Sequence, residues 1–189
     1  MTLRFIGSEI PGVVIVEPDV HFDERGFLLE SYHAAKYREG SIDLDFVQDN
    51  HSSSVKGTLR GLHGQSLHPQ GKLVRVLEGE IFDVVVDVRR GSPAYGKFVS
   101  AILSSENFRQ LYAPPGLLHG FVVLSDIAQV AYKCTDFYHP QSAFSVRWND
   151  PELAIPWPVS EPMLSPKDAE ALLLSEQQDR LIDYVPAVR

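Results

Sequence analysis

The sequence is poor in cysteine, in basic charge and in long apolar runs. Its single cysteine, Cys134, excludes an internal disulfide and any metal site built on cysteines, and it fits a reducing compartment. Nowhere do about 18 apolar residues follow one another, and the opening stretch MTLRFIGSEIPGVVIVEP lacks the apolar core of a signal peptide. A cytoplasmic protein with no membrane association is therefore expected. Acidic residues outnumber basic ones 25 to 17, a formal net charge of −8 over 189 residues, which argues against a nucleic-acid partner held through many phosphate contacts. A small anion can still bind locally. Repeats, low-complexity tracts and linkers are also missing. One domain over residues 1–189 follows, with an N-terminal arm over about 1–30, a core over about 31–150 and a C-terminal helical segment over about 160–189.

What is present is an ordinary globular composition, 44% hydrophobic and 22% charged, arranged as short extended segments separated by turn residues. The candidate strands are Val13–Glu17, Gly26–Tyr32, Phe46–Ser52, Thr58–Gln65, Lys72–Leu77, Glu80–Arg89, Lys97–Leu103, Arg109–Ala113, His119–Leu124, Ala128–Asp136 and Ser145–Asn149. Ile81 to Val88 is the clearest, because β-branched residues dominate it and Gly79 precedes it in a turn. Helices are few. Ser31–Glu39 reads as a short one, and Ser165-Pro166-Lys167-Asp168 opens a second with an N-cap serine, a first-position proline and a capping-box carboxylate. That helix is predicted to run to about Asp183. The pattern is all-β: a jelly-roll barrel with short peripheral helices and a C-terminal helical segment.

Polar residues on strands that should be apolar are informative, since burying them costs free energy unless they are paired or used. Three stretches have them. Gln48 and Asn50 share one face of a strand; Arg60 and His63 lie within one strand length; Lys72 leads into Leu73-Val74-Arg75-Val76. In a barrel these converge on an interior cavity. Arg60 and His63 have opposite parity, so a regular strand would separate them, and Gly61 is the expected site of a correcting bulge. Pro114-Pro115-Gly116-Leu117-Leu118-His119-Gly120-Phe121 resembles the second half of the cupin signature. Metal cupins need three or four ligands, yet here Gln65 stands two positions after His63 and Lys72 stands where a carboxylate is wanted. No catalytic metal is expected.

Taken in order, Asp23-Glu24-Arg25-Gly26-Phe27, Phe46-Val47-Gln48-Asp49-Asn50-His51, Arg60-Gly61-Leu62-His63, Gln70-Gly71-Lys72-Leu73-Val74, Gly116-Leu117-Leu118-His119-Gly120-Phe121, Tyr132-Lys133, Trp148-Asn149-Asp150-Pro151 and Leu164-Ser165-Pro166-Lys167-Asp168 resemble the dTDP-4-dehydrorhamnose 3,5-epimerase family over roughly residues 10–170. The resemblance implies a cupin-type barrel, a homodimer, a dTDP-linked 4-keto-6-deoxy sugar as substrate and no cofactor. It implies His63 as the base, Asp168 as its carboxylate partner, Lys72 near the C4 oxygen and Tyr132 as the proton donor on the opposite face. It places Arg25, Glu30, Gln48, Asn50, Arg60 and Lys167 near the nucleotide, and makes His119 a hydrogen-bonding pocket residue. The arginine fork suits phosphate oxygens independently of any relative. Read alone, Asp168 is also a helix-capping carboxylate and Tyr132 a strand aromatic sharing a face with Val130 and Cys134. Gly64 departs from the family, where an aromatic is common, and a larger sugar pocket is expected. Single-centre epimerisation at C3 or C5, ketoisomerisation of another nucleotide-linked 4-keto sugar, and a catalytically inactive sugar-nucleotide binding barrel stay open as alternatives.

Overall fold

The period-two alternation of side chains determines the architecture. The computed structural model describes residues 1–186. Its strands are β1 Leu3–Gly7, β2 Val14–Pro18, β3 Val20–Asp23, β4 Gly26–Leu29, β5 Gln48–Val55, β6 Leu59–Gln65, β7 Lys72–Glu78, β8 Glu80–Asp87, β9 Phe98–Ser104, β10 Gln110–Ala113, β11 Leu117–Val123, β12 Ile127–Cys134 and β13 Ala143–Ser145. Helices α1, Ala34–Glu39, and α2, Pro166–Ala169, complete the regular elements together with two 3₁₀ turns at Leu174–Glu176 and Gln178–Arg180. One sheet has the order β1-β2-β10-β7-β12-β5 and the other β13-β6-β11-β8-β9, with antiparallel pairing throughout. The fold is a cupin-like jelly roll.

The space between the sheets is filled by Val74 and Val130 from one and Ile81, Val85, Leu103 and Phe121 from the other. Each fully buried apolar side chain of this kind contributes about 1.5–3 kcal/mol over its exposed state. Both outer faces are covered too. Tyr37 of α1 and Ile42 pack on Val16, Leu73 and Tyr112, while Leu174 and Leu181 of the C-terminal segment pack with Leu62, Val84, Val86 and Leu118. Strand β8 is therefore buried on both sides, which is why its sequence is nearly continuous in β-branched residues.

Three expectations need correction. The C-terminal helix does not reach Asp183: it stops at Ala169, because Val146 bridges Leu172 and the Gln177 amide donates to the Ser145 carbonyl at 2.6 Å. Those bonds require extended chain beside β13 and override helix propensity. Residues 187–189 of that segment lie outside the described residues. Strands β1 and β2 belong to the six-stranded sheet, so the arm proper is the β3–β4 hairpin alone. Strand β13 is shorter and earlier than Ser145–Asn149, since Asp150 leaves the sheet to accept the Leu174 N–H at 2.7 Å.

Candidate active site

A cavity of about 570 Å³ opens at one end of the barrel, within the size range of small-molecule sites. Lys72, Val74 and Val76 alternate inward along β7, and Lys72, first in the strand, reaches the cavity while the valines build the core below. On β12 Tyr132 lines the cavity above core Val130, and on β5 Gln48 and Asn50 line the same space.

Strand β6 delivers Arg60 and His63 to this cavity despite their parity. His119 pairs with His63 and Phe121 with Arg60, so three steps on β6 match two on β11. The extra residue sits at Gly61, whose φ is +135°. A bulge at a glycine is what sends both side chains inward.

His63 Nε2 lies 2.6 Å from Asp168 Oδ1. Asp168 is 3% exposed, and its Oδ2 accepts from the Ser165 hydroxyl at 2.9 Å. The Ser165 oxygen in turn accepts the Asp168 N–H, so the helix cap and the carboxylate–imidazole pair are one construction. Burial pushes the Asp168 carboxyl up, but the bonds from His63 and Ser165 outweigh it and hold the group below its ordinary value. An ionised Asp168 only accepts, so the proton sits on His63 Nε2 and leaves Nδ1 as the free nitrogen. Burial lowers the His63 pKa below 6.5, and the Asp168 bond offsets this only in part. The imidazole is a neutral base at neutral pH.

Lys72 is held below the ordinary lysine value by burial, with Cys134 and Asp83 acting in the other direction. Its Nζ lies 5.9 Å from the Tyr132 ring centroid. Burial raises the Tyr132 phenol above its usual value, so it stays protonated. Arg60 donates from Nε to Ser54 at 2.9 Å, and Lys167 lines the cavity beside Asp168. Gln48 and Asn50 bond to each other at 3.2 Å.

His119 is buried below the cavity, bonded to Asp83 Oδ1 at 2.7 Å. Sequence reasoning missed Asp83, although a carboxylate inside the β-branched run of β8 was a legible signal. It also passed over Ser165's second role and Tyr138, which lines the cavity mouth. Three expected residues do not line the cavity, and the first is His119, buried beneath it against Asp83 rather than facing it. Arg25 sits at the β3–β4 turn bonded to Asp23, and Glu30 pairs with Lys36 at 2.7 Å. The space expected beside Gly64 is filled, because a Cβ there would meet Leu118 Cδ2 at 2.9 Å and the Phe144 ring at 3.0 Å.

Comparison with known proteins places this geometry. The family model described as dTDP-4-dehydrorhamnose 3,5-epimerase matches residues 7–176. A Pseudomonas aeruginosa dTDP-4-dehydrorhamnose 3,5-epimerase is 52% identical over 163 residues, covering 85% of this chain and 90% of that protein. A Neisseria gonorrhoeae protein of the same name is 51% identical over 167 residues, which cover 88% of this chain, and there the chain spans about half, 51%, of the relative's length. The crystal structure of a dTDP-6-deoxy-D-glucose-3,5-epimerase from Legionella pneumophila Philadelphia 1, in complex with dTDP-4-keto-L-rhamnose, is similar with a TM-score of 0.95 at 53% identity. The match covers 98% of this chain and 100% of that one. On a family match that spans the barrel, the His63–Asp168 pair and α2, the chain belongs to the dTDP-4-dehydrorhamnose 3,5-epimerase family.

Proposed function

We propose that this chain converts dTDP-4-dehydro-6-deoxy-D-glucose into dTDP-4-dehydro-L-rhamnose by inverting C3 and C5. The observation that carries the reading is the 2.6 Å bond between His63 and buried Asp168, in a cavity that also presents Lys72 and Tyr132. The C4 ketone acidifies the hydrogens on C3 and C5. Neutral His63 takes the proton from one of these carbons, and the electron pair of the broken C–H bond moves into its bond to C4 while the C4 oxygen becomes an enolate. Asp168 stabilises the imidazolium, and the Lys72 ammonium offsets the charge on oxygen. Tyr132 then protonates that carbon from the opposite face, the ketone re-forms, and exchange with water resets both side chains. A second cycle inverts the other carbon. Substrate and product are isomers, so no oxidant or reductant is consumed.

The nucleotide diphosphate is assigned to Arg60 and Lys167, with Gln48 and Asn50 as amide partners. Arg25 joins them through a homodimer. Phe22, Phe27 and Leu28 of the β3–β4 hairpin are 70%, 58% and 64% exposed, and a second copy covering them would carry Arg25 to its partner's cavity. Glu30, paired with Lys36, anchors the base of that arm. No helix among the described residues is long and apolar enough to cross a membrane, and a cytoplasmic setting suits the lone buried cysteine.

Proton NMR of dTDP-4-dehydro-6-deoxy-D-glucose with the protein in deuterated water tests the reading. Loss of both the C3 and C5 signals, with the L-sugar trapped by a downstream reductase, is expected. Loss of one signal would make the protein a single-centre epimerase, and no exchange with dTDP still bound would leave a binding barrel.

A further inference from the structure

Outside the cavity, two loops bring three metal-ligating side chains together. His68 lies in the loop after β6, and Asp136 and His139 lie in the loop after β12. One donor atom from each lies within 4.8 Å of the others. His68 Nδ1 is 3.5 Å from Asp136 Oδ2, and the two imidazoles stack at 4.4 Å between centroids. We propose that His68, Asp136 and His139 form a binding site for a divalent transition-metal ion of the zinc type, on the rim of the catalytic cavity.

The donor set suits such an ion. Two neutral imidazoles and one carboxylate are ligands of the borderline class that zinc and nickel take, with the remaining positions left to water. Bonds of about 2.0–2.2 Å in a tetrahedron require ligand atoms about 3.3–3.6 Å apart. The His68–Asp136 pair already meets that spacing, and with all three donor atoms within 4.8 Å of one another the set closes by a side-chain movement of His139 of about an ångström. Asp136 keeps Oδ2 for this purpose, because its Oδ1 accepts the Phe137 N–H at 2.7 Å.

The loops are held in register by two glutamines. Gln65, 7% exposed, donates to the His68 carbonyl at 2.6 Å and the Phe137 carbonyl at 3.3 Å, and its oxygen accepts the His139 N–H at 2.8 Å. Gln70 donates to the Asp136 carbonyl at 2.8 Å. The backbone of all three ligands is thus fixed by side-chain bonds between the loops, and His68 is held at a φ of +56°, an uncommon value for a residue with a side chain. Gln65, Gln70 and Tyr138 line the cavity, so an ion clamping the loops would brace its mouth.

Calorimetric titration of the untagged, EDTA-treated protein with zinc chloride tests the proposal. One ion per chain is expected, with affinity at least tenfold weaker in His68→Ala and in Asp136→Asn and unchanged in His63→Ala. The thermal midpoint of the wild type should rise with zinc and that of the two loop variants should not, while metal-free turnover of the loop variants stays at the wild-type rate. Absence of saturable binding at millimolar zinc would overturn the proposal. So would binding that is lost in His63→Ala and kept in His68→Ala, which would assign the ion to the catalytic pair.

Discussion

Gly61 and Gly120 meet across β6 and β11 with no room for a side chain between them. A Cβ on Gly61 would lie 2.5 Å from Gly120 Cα, and one on Gly120 would lie 3.0 Å from the Arg60 carbonyl oxygen. The contact sits inside the register shift that turns both Arg60 and His63 toward the cavity. Gly61→Ala adds a backbone clash to a φ of +135° that L side chains rarely adopt. Destabilisation of about 2 kcal/mol or more is expected, with turnover falling further because His63 is displaced. Thermal denaturation and turnover, measured together, check this; an alanine variant with wild-type stability and rate would refute the bulge's role.

The pH profile follows from the dyad. His63 must be neutral to act as the base, and burial sets its pKa below 6.5, so kcat/KM should be constant through neutrality and fall only on the acid side of 6.5. Asp168 raises the His63 pKa by bonding the charged ring. Asp168→Asn should therefore move the acid limb to lower pH while reducing kcat at least about a hundredfold. An acid limb that shifts upward would refute this electrostatic reading.

Lys72 supplies the alkaline limb. Burial lowers its pKa below the ordinary lysine value and raises the Tyr132 phenol above its own, so loss of the ammonium proton is brought toward neutrality while the phenol is moved away from it. Lys72→Met should remove the limb and lower kcat by about two to three orders of magnitude. Tyr132→Phe should keep deuterium exchange at the sugar carbons but lose inversion, which NMR of the exchanged substrate distinguishes. Equal loss of both would remove Tyr132 from the donor's role.

Complementation tests the proposed exchange of the β3–β4 arm between two copies. Arg25→Ala and His63→Ala are each expected to be weakly active alone. Mixed and co-refolded, they should regain about a quarter of wild-type activity if partners associate at random, because one cavity in each mixed dimer holds His63 and receives the partner subunit's Arg25. No recovery, with mixed dimers shown by mass spectrometry, would place Arg25 in its own chain's site.

Phe144 is the cross-strand partner of Gly64 and fills the volume that a larger residue at 64 would take. Phe144→Ala should cost about 3 kcal/mol from the buried ring and enlarge the sugar end of the cavity, raising KM more than it lowers kcat. A denaturant titration and a substrate series measure the two effects.

The barrel was legible because period-two patterns such as Lys72-Leu73-Val74-Arg75-Val76 encode which face is buried, and because His63, Lys72 and Tyr132 interrupt otherwise apolar faces. Asp168 was legible as a cap, and its second role depended on a neighbour 105 residues away, which no local pattern reports. The helix predicted beyond Ala169 failed for the same reason: propensity is local, whereas the bonds that hold Leu172 and Gln177 beside β13 are not. Arg25 stays at the β3–β4 turn bonded to Asp23, and the wall beside Gly64 is set by Phe144 on the neighbouring strand; neither placement is reported by a local pattern.

Asp168, the carboxylate bonded to His63, follows every strand of the described residues along the chain. During synthesis the sheets can pair and the cavity can form while His63 still lacks its partner. The His63–Asp168 pair is complete only when Ser165 caps the short helix and the segment after it packs on the outer face of β6 and β8. Under the proposed reading, turnover reads out whether the segment that follows β13 has docked, because the carboxylate bonded to His63 arrives with it.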